Sequence, residues 1–264
     1  MCLIAWNWQP GSATPLTLIA NRDEFYARPT APLHRWGDAA LLAGRDLQAG
    51  GTWLGMAVHE GRGRVAALTN HRAPRLLDAQ ARSRGELVSE FLQGQASAAD
   101  FLAALAARAT RYNPFNLLLF DGVQLLGFEG RQSRIVTLQA GLGAVSNADF
   151  NTPWPKLRKL RQALADVSGD APGEVDNLLA LLRDADQAAD GDLPATGVPI
   201  EIERALSAIF IATPGYGTRS SAVLRLRAHA FEFVEQGFGE RGEPTDVTRY
   251  VGVLTALTAK ASDR

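Results

Sequence analysis

Apolar runs separated by short turn segments recur along this chain, and they limit the folds open to it. Residues 2–8 (CLIAWNW) and 16–21 (LTLIAN) flank a turn rich in Pro, Gly and Ser. The stretch 115–130 (FNLLLFDGVQLLGFEG) carries Asp121-Gly122, a dipeptide typical of a hairpin turn, between two apolar runs. Strands joined by such short turns pair antiparallel. The pattern therefore predicts antiparallel sheets and argues against a doubly wound parallel sheet.

Helical segments fall between these strands in two groups. Residues 83–94 begin with Ser83 three residues before Glu86, the spacing of a capping box, and Ser97 is the predicted cap of the helix at 97–109. Further helices are predicted at 153–167, which opens with proline, and at 173–185. Further strands are predicted at 52–58, 64–70, 134–138, 208–214, 221–228 and 230–237, and loops at 21–32 and 186–199.

This order of elements predicts an α+β protein in which helices cover antiparallel sheets. The 264 residues show no repeat and no clear boundary, so one domain over residues 1–264 is expected. The net charge of -1 provides no basic field, and no nucleic-acid partner is expected. No run of 18 apolar residues predicts a membrane span, and no secretory signal is evident. A cytoplasmic location is expected.

Metal and phosphate motifs are missing from the sequence. The four histidines lack zinc-ligand spacing and there is one cysteine, so no metal site and no cofactor are expected. The segment 61–64 (GRGR) lacks the lysine and hydroxyl residue of a phosphate-binding loop. The basic residues of the helix at 153–167 are typical of a solvated face; they are Lys156, Arg158, Lys159 and Arg161.

The single cysteine stands at position 2, where loss of the preceding residue would make it the N-terminus. A freed α-amine has a pKa of about 7.7–8.0 and can act as a base near neutral pH. The thiol reacts as a thiolate, which a nearby cation favours. Free cysteines are also common as small buried hydrophobes. Cys2 is therefore either a nucleophile or a packing residue.

Four polar residues, Asn21 to Glu24, follow the second predicted strand. Hairpin pairing would bring Arg22 close to the Cys2 thiol, with a carboxylate to hold it. The alternative is a solvated turn with an ordinary surface ion pair.

Several polar residues at strand ends are further candidates. Asn70 and Asn147 each end an apolar stretch, and an asparagine amide can donate to a developing oxyanion or cap a turn. The segment 50–53 (GGTW) is either a tight turn or a loop that offers backbone N–H groups to a ligand. Arg219 enters a strand beside two serines, where it could bind an anion or cap the sheet edge.

Seven segments together resemble one known family; in order from residue 1 to about residue 221 they are MCLIAW, ANRDEF, GGTWLG, LTNHR, YNPFNLLL, SNADFNTPWPKL and YGTRSS. They are similar to the NRDE family, also called the transport and Golgi organisation 2 family. The resemblance implies the fold of N-terminal nucleophile hydrolases, a four-layer αββα sandwich of two antiparallel sheets between helical layers. The family is associated with secretory-pathway organisation, lipid homeostasis and haem trafficking.

The resemblance also implies roles for residues. In the related choloylglycine-hydrolase-like enzymes, a cysteine after the initiator methionine attacks an amide. Cys2 matches this nucleophile, Arg22 and Asp23 match the residues that tune it, and Asn147 matches the oxyanion asparagine. Substrate contacts are expected from Asn21, Glu24, Asn70 and Arg219, of which Glu24 could also replace Asp23 as the acid.

Three functional hypotheses follow from these residues and this resemblance. The first is a cysteine N-terminal nucleophile hydrolase that cleaves an amide or thioester of a hydrophobic acyl substrate. The second is a carrier of a hydrophobic anionic ligand, such as haem or acyl-CoA, that performs no chemistry. The third is a protein that binds a macromolecular partner. The oligomeric state stays open.

Overall fold

The computed structural model describes residues 2–37, 41–167 and 174–254. The strands in these ranges are β1 (Cys2–Trp8), β2 (Leu16–Phe25), β3 (Thr30–Arg35), β4 (Leu41–Asp46), β5 (Leu54–His59), β6 (Arg62–Asn70), β7 (Phe115–Phe120), β8 (Leu125–Glu129), β9 (Arg134–Thr137), β10 (Gly141–Val145), β11 (Ala212–Thr213), β12 (Tyr216–Leu226), β13 (Ala230–Phe238) and β14 (Pro244–Val253). The α-helices are α1 (Gly85–Gln93), α2 (Ala98–Ala106), α3 (Pro155–Asp166), α4 (Glu174–Leu181) and α5 (Ile200–Ala205). No helix within the described ranges is both long and apolar enough to cross a bilayer.

The strands form two antiparallel sheets. The first sheet has the order β10-β1-β2-β12-β13-β14, and the short β11 pairs with one end of β12. The second sheet runs from β3 to β9 in chain order, so every connection within it joins neighbouring strands. This arrangement confirms the prediction of antiparallel sheets.

Three apolar clusters show that the protein has four layers. Side chains that alternate along β1 and β2, such as Ile4 and Leu18, pack between the sheets against β7 and β12. The intervening residues, such as Leu3 and Ile19, pack on α3 and α4, outside the first sheet. The helices α1 and α2 cover the outer face of the second sheet, where Phe91 is fully buried. Burial of each such side chain contributes about 1.5–3 kcal/mol, and the layer order is the predicted αββα sandwich.

Local signals set several of these boundaries as predicted. The backbone N–H of Asp100 donates to the Ser97 hydroxyl at 3.1 Å, which caps α2. Pro155 opens α3 at its first position. The capping box predicted for α1 is wrong: Arg84 is the cap residue and its side chain makes no capping bond. Glu86 instead accepts a hydrogen bond from the Tyr112 hydroxyl at 2.5 Å.

Two predicted element boundaries are corrected. Residues 22–25, predicted as loop, complete β2, because β1 pairs with this strand as far as Arg22 and β12 pairs with it as far as Phe25. Only Ala212–Thr213 of the predicted strand 208–214 is extended in a sheet. The apolar residues before it, from Ala208 to Ile211, are buried without strand pairing.

Candidate functional site

A cleft of about 430 Å³ opens where both sheets end. It is lined by the start of β1, the last residues of β2 and β6, and the segments 45–53 and 78–85. Its apolar wall includes Trp53 and Leu68, and the rest of its lining is dominated by charged and polar side chains.

Cys2 lies on the wall of this cleft, with 7% of its surface exposed. Side-chain alternation along β1 places its thiol on the inner face of the first sheet, in the apolar cluster between the sheets. Burial raises the pKa of this thiol to about 11; the Asp23 carboxylate adds to the increase and the Arg22 guanidinium opposes it. The thiol is therefore protonated at neutral pH, and a base must take its proton if it attacks a substrate.

Arg22 stands directly opposite Cys2 in the β1–β2 pairing, so the two side chains leave the same face of the sheet. Its guanidinium is 3.9 Å from the Glu24 carboxylate and donates to the Thr30 hydroxyl at 3.3 Å. The pairing predicted between Cys2 and Arg22 is confirmed. Glu24 points to the same side, so it is the acidic residue of the NRDE segment that accompanies Arg22.

Asp23 occupies the other face of β2, which the helices cover. It is 1% exposed, and its carboxylate accepts a hydrogen bond from the Thr218 hydroxyl at 2.8 Å. Burial raises its pKa, and Lys156 is the charged neighbour that lowers it most. The Asp23 carboxylate thus raises the pKa of the Cys2 thiol by electrostatic repulsion from the other face of the sheet, and not by direct contact.

The two candidate oxyanion donors meet at the end of the first sheet. The side-chain amide of Asn147 donates to the carbonyl oxygen of Asn70 at 2.9 Å and to that of Cys2 at 3.4 Å. This shared donor draws the main chains of Cys2 and Asn70 together. Asn70 lines the cleft, and its own side-chain amide makes no hydrogen bond to any described residue. Asn70 is therefore the amide that is open to a ligand, whereas Asn147 is occupied in holding the site.

Two predicted substrate contacts lie outside the cleft. The buried amide of Asn21 donates to the carbonyl oxygens of Leu182 and Ile209, both at 2.9 Å, on the helix-covered side of the sheet. Arg219 donates to main-chain carbonyls after β2, including that of Phe25 at 2.9 Å. Both residues bind main-chain carbonyl groups here, and the substrate-binding role predicted for them stays a prediction.

The segment 50–53 packs closely against the start of α1. Gly50 adopts a positive φ of 78° in a turn, so this part of the segment is the tight turn that was one of the two alternatives. A Cβ on Gly51 would lie 2.5 Å from the carbonyl carbon of Gly85. The absence of a side chain therefore allows this loop to meet α1 beside Arg84.

The profile of the family described as Transport and Golgi organisation 2 matches residues 1–240. The chain is a member of this family. It is 35% identical over 253 residues to the human Transport and Golgi organization protein 2 homolog, a match that covers 86% of this chain and 89% of that protein. The bovine homologue is 36% identical over 250 residues, with the same coverage of both chains. The Transport and Golgi organization protein 2 of Drosophila melanogaster is 28% identical over 279 residues, covering 92% and 95%.

In this member of the Transport and Golgi organisation 2 family, sequence analysis missed two cationic residues of the site. Lys156, expected on a solvated helix face, is 2% exposed, and burial lowers its pKa to about 8. The sequence did contain a signal for the burial of Lys156. It stands beside Leu157 and Leu160 in the amphipathic pattern, and these leucines face the sheet. Arg84 lines the cleft from the turn before α1, and the sequence shows nothing that distinguishes it from other surface arginines.

Proposed function

We propose that this chain is a cysteine hydrolase of the N-terminal nucleophile type, which cleaves an amide or thioester bond of an acyl substrate. The observation that carries the proposal is the meeting of Cys2, its strand partner Arg22 and the open amide of Asn70 at one cleft. The antiparallel αββα architecture is also the one expected for such enzymes. Trp53 and Leu68 offer an apolar surface for the acyl group beside the thiol.

The reaction follows from these positions. Removal of residue 1 frees the α-amine of Cys2, which takes the thiol proton as the sulfur attacks the substrate carbonyl. The side-chain amide of Asn70 donates a hydrogen bond to the resulting oxyanion. The C–N bond then breaks, the leaving nitrogen takes the proton from the α-amine, and a thioester to Cys2 remains. Water attacks this thioester, releasing the carboxylic acid and restoring the thiol.

The raised pKa of Cys2 explains why the mechanism needs this base. In the chain that retains residue 1, burial raises the pKa of the thiol to about 11, so the thiol is almost wholly protonated at pH 7 before the α-amine is freed. An amine attached to the same residue can accept the proton during attack. Arg22, on the same face of the sheet, stabilises the thiolate that forms.

A screen of acyl amides and acyl thioesters, run on protein whose N-terminus is defined by intact mass spectrometry, tests the proposal. Cys2→Ala is expected to lower turnover by at least about three orders of magnitude while leaving substrate affinity close to that of the parent. Cys2→Ser retains a small fraction, because a hydroxyl is a poorer nucleophile. Arg161→Gln, on the exposed face of α3, is the control for surface changes. Turnover that persists in Cys2→Ala would exclude Cys2 as the nucleophile.

The alternative is a carrier of a hydrophobic anionic ligand, such as haem or acyl-CoA. The observation that favours it is the buried, protonated thiol, which suits a packing role as well as a dormant nucleophile. Titration with haem and with acyl-CoA separates the two functions. Tight binding that is unchanged in Cys2→Ala, with no turnover by a protein that begins at Cys2, would favour the carrier.

A further inference from the structure

The charged groups around the cleft are unequally paired. Arg28 binds the Asp46 carboxylate at 2.7 Å, and Glu24 lies 3.9 Å from both Arg28 and Arg22. Arg82, at the rim, pairs with Glu86, which lies outside the cleft lining. These contacts occupy the carboxylates of Asp46 and Glu24. The two other acidic residues of the lining, Asp23 and Asp78, form no ion pair with Arg84 or Arg45.

Arg84 is a cation of the same cleft lining as Cys2. It is half-buried, and no carboxylate of the described residues lies within 4.0 Å of it. One guanidinium N–H donates to the carbonyl oxygen of Pro114 at 3.2 Å, which leaves four donors unused by the described part of the chain. Burial lowers the pKa of Arg84, and Cys2 is the ionisable neighbour that opposes this most.

A second cation of the lining also has no acidic partner. Arg45 also lines the cleft and has no carboxylate of the described residues within 4.0 Å. Its guanidinium lies 4.6 Å from the Trp36 ring centre and donates to the Gly50 carbonyl oxygen at 3.2 Å. The stacking keeps this side chain extended along the loop. The lining therefore contains two arginines, Arg84 and Arg45, that form no ion pair with a described residue.

We propose that Arg84 binds an oxyanion, a carboxylate or a phosphate, that the substrate carries close to its scissile bond. This inference rests on the proposed function, because it takes Cys2 as the reacting residue, and it narrows the substrate class to anionic acyl amides or thioesters. A planar guanidinium with free N–H groups matches the oxygen geometry of such an anion. A wholly apolar substrate would leave this cation desolvated and unpaired when the cleft fills. In a longer anionic ligand, Arg45 binds the part that extends beyond the group held by Arg84.

The lone cysteine makes the inference testable without a known substrate. Iodoacetate and iodoacetamide alkylate the same thiolate but differ by one carboxylate, so their rate ratio at Cys2 reports an anion subsite beside the sulfur. The ratio is measured for the native protein by intact mass spectrometry at pH 9 and compared with that of free cysteine in the same buffer. The native ratio is expected to exceed the free-thiol ratio by about tenfold, as one charge-assisted hydrogen bond would provide.

The variants assign this preference to one side chain. Arg84→Gln is expected to return the ratio to the free-thiol value, Arg84→Lys to keep part of it, and Arg161→Gln, which removes the same charge from an exposed site, to leave it unchanged. A ratio that is unaffected in folded Arg84→Gln overturns the inference. If Arg84→Gln does not fold, the native ratio decides, because a value no higher than that of free cysteine also overturns it.

Protection experiments identify the anion. Succinate or inorganic phosphate is added while Cys2 reacts with iodoacetamide, and the ion that slows the reaction in an Arg84-dependent way is the group that the subsite accepts. Protection by neither ion, at concentrations that leave free cysteine unaffected, counts against the subsite. These outcomes are separate from those that decide the proposed function, which fails if turnover survives Cys2→Ala or if protein that begins at Cys2 binds its ligand tightly without turnover.

Discussion

Lys156 and Asp23 are each the strongest charged influence on the other, and both are buried on the helix-covered side of the first sheet. Burial lowers the pKa of Lys156 to about 8, whereas it raises that of Asp23. The ammonium partly compensates the carboxylate, which keeps Asp23 closer to ionisation than burial alone would allow. An acidic group thereby lies behind the Cys2 main chain, on the face opposite the thiol.

Lys156→Met is expected to change how stability depends on pH. Between pH 8 and about 10.4, the ordinary lysine pKa, the unfolded chain binds more protons at this residue than the folded chain, so its contribution to stability rises with pH. The variant lacks this contribution, and its stability relative to the parent should fall by an amount on the order of 3 kcal/mol across the interval. Urea unfolding of the variant and the parent at pH 7.5, 9 and 10.5 measures the difference in stability. The titration of Cys2 is common to both proteins and cancels in this difference.

Lys159→Met is the matched control, because Lys159 is exposed on the same helix and pairs with Asp184 and Asp186 at the surface. It should show no comparable drift over this range. A parallel pH dependence in Lys156→Met and the parent would show that Lys156 is solvated in the folded protein.

Asn70 and Asn147 are expected to differ in what their loss changes. Asn70→Ala removes an amide that has no partner among the described residues, so the free energy of unfolding should change by less than about 0.5 kcal/mol. Turnover should nevertheless fall by about 10²–10³-fold, as for other oxyanion donors. Parallel kinetic and urea measurements on the hydrolase test this, and full activity in Asn70→Ala would assign the oxyanion to another donor.

Asn147→Ala should instead destabilise the fold. Its buried amide donates to the carbonyl oxygens of Asn70 and Cys2, and the Cys2 oxygen also accepts from the Ser146 hydroxyl at 3.4 Å. The main loss is therefore the bond to Asn70, which costs about 1–3 kcal/mol. The measurement is urea unfolding with Asn70→Ala as the comparison. Equal stability of the two variants would contradict the distinction between an open amide and an occupied one.

The elements that could be predicted from the sequence are those whose residues are buried in a regular pattern. β1 and the start of β2 form the expected hairpin, and its register places Cys2 opposite Arg22. The strands that were missed include β3, β10 and β14, which lie at sheet edges, and β4, which lies inside the second sheet. Edge strands tolerate proline and polar residues, as in the sequence TAPLHR of β3 and the largely exposed β14, so they lack the alternation that marks a half-buried strand.

The sequence predicted the arrangement of the site only between residues that one short hairpin brings together. Cys2 and Arg22 meet because of one short hairpin, but Lys156 and Asp23 meet only when α3 packs on the first sheet. The places of Asn21 and Arg219 are hidden from the sequence for the same reason. The Asn21 amide and one guanidinium nitrogen of Arg219 donate to carbonyl groups of distant segments, which pattern and propensity do not reveal.

Gly51→Ala is expected to disturb the cleft through the backbone. The added Cβ would lie 2.5 Å from the Gly85 carbonyl carbon, so the loop or the start of α1 must move. Such overpacking typically costs about 1–3 kcal/mol. Thermal unfolding measures the loss, and Gly191→Ala, where a Cβ would meet nothing within 4 Å, is the control. Equal melting temperatures for the two variants would show that the loop does not pack on α1.

The last prediction concerns the ion pair between Arg72 and Glu203, because Arg72 is bonded to the main chain of Asn147. Both side chains are buried and form an ion pair, Glu203 also accepts from the Thr196 N–H at 2.9 Å, and the Arg72 main-chain N–H donates to the Asn147 carbonyl at 2.7 Å. The Arg72 guanidinium lies 4.7 Å from the Trp154 ring centre. Changing Glu203→Gln leaves a buried guanidinium without its counter-charge and should cost about 3–5 kcal/mol.

The double variant Arg72→Met/Glu203→Gln separates loss of the charge pair from loss of packing. Removal of both charges also removes the uncompensated guanidinium, so the double variant should be more stable than Glu203→Gln, although fewer interactions remain. Urea unfolding of the parent, both single variants and the double variant forms the cycle. If the losses simply add, the two residues act independently, and the pair does not connect α5 to the Asn147 end of the cleft.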